Sequence, residues 1–71
     1  MRQLEKVAID QNTTGIRILE DGQEIVYEAF PSIPAFKING ITSINENLAK
    51  RNKAELTNDE KQQLQTWMNE A

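Results

Sequence analysis

The sequence predicts a small α+β domain: an antiparallel sheet of three strands built on a central hairpin, with room for a short fourth, and two carboxy-terminal helices packed on one face. Three observations carry this. Residues 15–30 form two alternating runs around Asp21-Gly22, and an Asp-Gly pair in that setting signals a type I′ turn, which needs positive φ at both central residues. Ser43-Ile44-Asn45-Glu46 and Thr57-Asn58-Asp59-Glu60 both have the capping-box form, in which the first side chain caps the helix and the glutamate reaches back to it. With 71 residues and no cysteine, the chain is one domain, residues 1–71, and must draw its stability from an apolar core rather than disulfides.

Residues 3–11 have two patterns. Val7 and Ile9 alternate as in a strand, whereas Leu4, Val7 and Ala8 share a helical face. The polar cluster Gln11-Asn12-Thr13-Thr14 leads straight into the hairpin and favours a strand. A three-stranded meander follows, because sequential strands usually neighbour each other and a lone hairpin is not stable in water. A two-residue turn at Asp21-Gly22 sets Ile18 opposite Ile25 and Ile16 opposite Tyr27. That register gathers Ile16, Ile18, Ile25, Tyr27 and Ala29 on one face, and Arg17, Glu24 and Glu28 with Leu19 and Val26 on the other.

After Phe30, Pro31 and Pro34 stop the strand, and Ile33 and Phe36 cover one end of the core. Asn39-Gly40 is a second tight-turn signal following Phe36-Lys37-Ile38. The first helix is expected over residues 44–53, capped by Ser43, with Ile44 and Leu48 on its apolar face. The second is expected over 58–70, with a narrow stripe of Leu64, Trp67 and Met68. The expected core is Val7, Ile9, Ile16, Ile18, Ile25, Tyr27, Phe36, Ile44, Leu48, Leu64 and Trp67.

Catalysis is poorly supplied. Without histidine or cysteine, hydroxyls such as Ser32 and Ser43 have no imidazole base and no thiolate is available. No phosphate-binding loop or dinucleotide fingerprint is present, and the acidic residues do not follow EF-hand spacing. No catalytic residue, metal or cofactor is therefore expected, and the chain is read as not an enzyme. The charged amino terminus does not resemble a signal peptide, and no apolar run reaches the roughly 18 residues of a membrane span; the expected compartment is the cytoplasm.

The net charge of −3 is unevenly placed. Residues 1–36 hold three cations against six acids, and residues 37–71 hold five of each. Glu20, Asp21, Glu24 and Glu28 form an acidic hairpin surface, the expected contact for another protein with a basic surface. Lys50, Arg51 and Lys53 are the alternative, a nucleic-acid-binding segment between two helices. Against it, Asp59 and Glu60 stand where a second helix would meet phosphates, and basic residues at a helix carboxyl end already suit its dipole. Trp67 and Met68 are candidates for a homodimer or partner contact, where aromatic anchors are enriched. The leading expectation is a non-enzymatic interaction module, a regulator or inhibitor of a larger assembly of the kind phages and mobile elements encode.

Overall fold

A computed structural model describes residues 1–70. Three strands, β1 (Arg2–Ala8), β2 (Thr14–Glu20) and β3 (Gln23–Phe30), form an antiparallel sheet in the order β1-β2-β3. Two helices follow, α1 (Ile33–Lys50) and α2 (Asn58–Glu70). The fold is the α+β arrangement expected, and residues 2–8 are a strand. There is no fourth strand among the described residues, because residues 36–41 lie inside α1.

Asp21 and Gly22 have φ of 52° and 83°, the paired left-handed conformation a type I′ turn requires. Glu20 then faces Gln23 and Leu19 faces Glu24, as the turn alone dictates. The next step departs from the expected register. Ile18 pairs with Val26, Arg17 with Tyr27 and Ile16 with Glu28, so Ile25 is the extra residue of a β-bulge. With a side-chain period of two, that one insertion exchanges the faces of everything beyond it in β3. Val26 and Phe30 are buried, while Tyr27 is 45% exposed. Glu28 consequently lies on the helix-covered face, opposite the fully buried Ile16.

The same parity governs β1. Leu4 pairs with the buried Ile18 and packs on the core, whereas Val7 pairs with Gly15 on the open face. Ile9 lies beyond β1 and is 46% exposed. Val7, Ile9 and Tyr27 therefore leave the expected core. Val26, Phe30, Leu56 and Met68 enter it beside Ile16, Ile18, Phe36, Ile44, Leu48 and Leu64, and Ile25 and Trp67 pack at its margin.

Helix α1 begins eleven residues before the expected start. Ser32 is its N-cap, in extended conformation, with its hydroxyl accepting from the Ala35 amide at 3.2 Å. Pro34 sits in the first turn, where its missing N–H costs nothing. Phe36, Gly40, Ile44 and Leu48, four residues apart, form the buried stripe. Gly40 is thus a packing residue and not a turn residue: a Cβ there would lie 2.7 Å from Met68 Cε and 3.2 Å from Phe36 Cδ1. The absence of a side chain lets α2 approach α1 closely, which offsets the ~1 kcal/mol helix penalty of glycine. Phe36 also meets Phe30 with ring centroids 5.3 Å apart, an aromatic contact that closes one end of the core.

The helix ends at Lys50, three residues earlier than expected, with Asn52 at φ 57°. The Lys53 amide donates to Leu48 O and the Asn52 amide to Ala49 O, the Schellman pattern that satisfies carbonyls at a helix end. Asn45 Oδ1 accepts from the Leu56 amide at 2.8 Å, seating Leu56 in the core. The second capping box forms as expected: the Glu60 amide donates to Thr57 Oγ1, and Glu60 Oε1 accepts from the Thr57 amide.

The same Glu60 receives Arg2 of β1. The guanidinium donates to both carboxylate oxygens, at 3.0 and 2.6 Å, and to the Ala54 and Glu55 carbonyls. One side chain thereby joins the first strand, the interhelical link and the start of α2. Burial by itself raises the Glu60 carboxyl, but the Arg2 guanidinium and the Thr57 amide and hydroxyl outweigh it and hold it below the usual carboxylate value.

Two measurements test this arrangement. Val26→Ala lowers stability by about 2 kcal/mol, and Tyr27→Ala by less than about 1 kcal/mol, both read from urea unfolding; the reverse order is what an unbulged register requires. The lowered Glu60 carboxyl makes stability depend on acid pH. Its contribution is complete above the ordinary glutamate value of about 4.3 and is lost as pH falls through the folded-state value. Urea midpoints from pH 7 to pH 3 should fall less steeply in Glu60→Gln, which starts less stable at pH 7. Parallel curves for the two proteins would exclude the clamp as the cause.

Candidate functional site

The bulge at Ile25 turns the Glu28 side chain toward α1, where the four-residue helical spacing of Ser43 and Asn47 provides two donors on one line. Glu28 Oε1 accepts from Ser43 Oγ at 2.6 Å, and Oε2 accepts from Asn47 Nδ2 at 2.6 Å. Asn47 Oδ1 in turn accepts from the Arg51 guanidinium, so the asparagine amide is held at both ends. The result is a half-buried carboxylate in a fixed orientation. No ion pair forms at Glu28 among the described residues, and each oxygen keeps a free acceptor position.

This carboxylate stands in an open groove of about 460 Å³ between the edge of β3 and α1. Its lining runs from Phe30 and Ala35 past Asn39 and Ser43 on the helix to Glu28 and Glu46. Beyond Asn47 the surface continues to Lys50 and Arg51. Ser43 is therefore not the helix cap its sequence pattern suggested. Glu46, which that pattern would turn back toward Ser43, is exposed to solvent.

The expected acidic surface divides. Glu20 is 3.0 Å from Lys53 Nζ, and Asp21 is 3.2 Å from the amino terminus. Glu24, opposite Leu19, is exposed and adds its field to the Arg17 guanidinium, which is held chiefly by Glu5. Glu28 is not on the outer sheet face but in the groove. The basic segment divides as well: Lys50 is exposed, Arg51 is bound to Asn47, and Lys53 faces Glu20. Two surfaces that compete in the sequence thus meet at the hairpin tip, where part of each is neutralised by the other.

Met68 is 3% exposed and packs against Gly40, so it offers no free contact, and Trp67 is half-buried at the core margin. Tyr27 lies on the open sheet face over Gly15, with Ile9 alongside. Among the described residues no three acidic, histidine or cysteine side chains converge to hold a metal ion, and no helix is long and apolar enough to cross a membrane. Ser43, Asn47 and Glu46 are the site residues that sequence reasoning missed. The signal was the i, i+4 pair of Ser43 and Asn47, legible as one helix face only once α1 is known to begin before Ser43 and not to be capped by it. No protein-family model, curated protein or solved structure matches this chain.

The role of Ser43 is testable. As a donor to a half-buried carboxylate its removal in Ser43→Ala costs about 1–2 kcal/mol in urea unfolding. A serine merely placed on a helix surface would give a neutral or slightly stabilising change, since alanine is the better helix former.

Proposed function

We propose that this chain is a small, non-enzymatic protein-interaction module that binds a partner with a basic surface along its β3 flank, acting as a regulator or inhibitor of that partner or its assembly. The observation that supports the reading is the Glu28 carboxylate. It is oriented by two donors, lies in an open groove beside Glu46, and forms no ion pair among the described residues, although Lys50 and Arg51 line the adjoining surface. Glu24, on the same strand but before the bulge, projects from the opposite, open face of the sheet beside Arg17. Orientation matters because a carboxylate already held in place loses little freedom when a lysine or arginine arrives, so more of the pairing energy appears as affinity.

The acidic hairpin tip contributes less to this reading than the groove, because Glu20 and Asp21 already have partners. The rival reading, a nucleic-acid contact through Lys50, Arg51 and Lys53, has less support for the same reason. Of the three, Lys50 alone makes no side-chain hydrogen bond or ion pair among the described residues, and Glu46 lies one helical turn away from it. Phosphate binding scales with the number of cations free to displace counterions; Lys53 is paired with Glu20, and Lys50 and Arg51 are the two whose charge is unanswered among the described residues.

The test is affinity capture from the native host with the wild-type chain and with Glu24→Lys/Glu46→Lys, two exposed positions whose reversal leaves the core intact. The double variant should lose the principal partner while keeping its unfolding midpoint. Undiminished recovery of the same partner would sink the acidic-flank reading.

A further inference from the structure

The groove beside Glu28 has one wall that is not a side-chain surface. β3 has β2 on one side only. No backbone hydrogen bond outside the sheet involves Gln23–Phe30 among the described residues. Residues 26–30, beyond the bulge, are therefore a regular stretch of edge with unpaired N–H and C=O groups and no proline. Proteins usually guard such an edge with lysine, proline or a covering element. The other edge follows that rule: β1 carries Arg2, Glu5 and Lys6, and is tied to α2 through Arg2–Glu60 and Lys6–Glu70. On β3 the bulge interrupts the hairpin end alone, and the rest of the edge opens onto the groove.

We infer that the β3 edge is a strand-addition site: an extended segment of the partner pairs with residues 26–30, and one of its lysine or arginine side chains enters the groove to meet Glu28 and Glu46. This rests on the interaction reading above and specifies how that site is filled. Main-chain pairing gives such a complex its affinity, and pockets for alternate side chains give it specificity. Here the alternate side chains facing α1 meet Asn39, Ser43, Glu28 and Glu46, a polar and acidic wall suited to a cation. The intervening side chains project to the open face on the side of Tyr27. A second copy of the chain pairing through its own β3 fits poorly, because Gln23–Phe30 contains no lysine or arginine to answer Glu28.

The experiment selects binders to the purified chain from a displayed library of random nine-residue peptides, then measures them as synthetic peptides by fluorescence anisotropy. Enriched peptides should share a lysine or arginine at one position and residues of high strand propensity around it. Glu28→Gln should weaken them about tenfold or more. Replacing the peptide cation with norleucine should do the same, with little further loss when both changes are combined. N-methylation of alternate residues along one edge of the peptide should abolish binding, while the same change along the other edge leaves it intact. Peptides that depend on Glu28 but tolerate N-methylation on either edge overturn strand addition and leave the acidic-flank reading standing. An enrichment of peptides indifferent to Glu28→Gln, or no enrichment at all, overturns the site itself. Self-association in sedimentation that disappears in Glu28→Gln would assign the edge to a second copy and overturn the proposed partner.

Discussion

The β-bulge at Ile25 is the constraint on which the rest of the molecule depends. A strict two-residue hairpin would place Tyr27 inward and Glu28 outward. The extra residue reverses both, so that Val26 and Phe30 supply apolar volume to a core that a chain of this size can hardly leave underfilled. Phe30 then reaches Phe36 of α1, and α1 is drawn over the β3 side of the sheet. Glu28 is carried inward by the same parity. A carboxylate on a covered face must be hydrogen-bonded or it destabilises the fold, and Ser43 and Asn47 meet that demand. One inserted residue thus decides both where the core lies and why a carboxylate stands in the groove.

The two helices are fastened to the sheet in different ways. α1 packs by a four-residue stripe and by the close approach at Gly40, interactions that depend on shape. α2 is held by Leu64 and Met68, and additionally by Arg2, whose guanidinium crosses from β1 to Glu60 and the carbonyls of the link. This polar tie is mostly shielded from solvent, and its partners satisfy each other's hydrogen bonds, so breaking it strands charges rather than exposing them to water. β1 is consequently tied to α2 by charge pairs, while the β3 side is covered by α1 and its edge carries no such ties among the described residues.

What was legible in the sequence follows the range of the forces involved. The Asp21-Gly22 turn and the Thr57 capping box are local, each fixed by residues no more than three apart, and both stand as expected. The bulge is not local. Ile25 and Val26 are both apolar, so either register yields an apolar inner face, and nothing within the hairpin itself distinguishes them. The first eleven residues of α1 failed to show themselves for a related reason. Asn39-Gly40 and Ser43–Glu46 imitate a turn and a cap, whereas the real start, Ser32 ahead of a first-turn proline, lay in a stretch whose prolines suggested only termination. Gly40 sits inside a helix because Met68 occupies the space its side chain would need, a tertiary fact that helix propensity does not record.

The acidic surface was read from composition and was misplaced by geometry, and the displacement sharpens it. Charge counted along a sequence treats Glu20, Asp21, Glu24 and Glu28 alike. In the fold the first two are answered by Lys53 and the amino terminus, and the last is held by neutral donors that fix its direction without cancelling its charge. A neutral hydrogen-bond donor lowers the cost of placing a carboxylate in a groove but leaves its long-range field nearly intact. Serine and asparagine at these two positions therefore do what lysine or arginine could not: they stabilise the carboxylate in the folded chain and leave it able to attract a cation from outside.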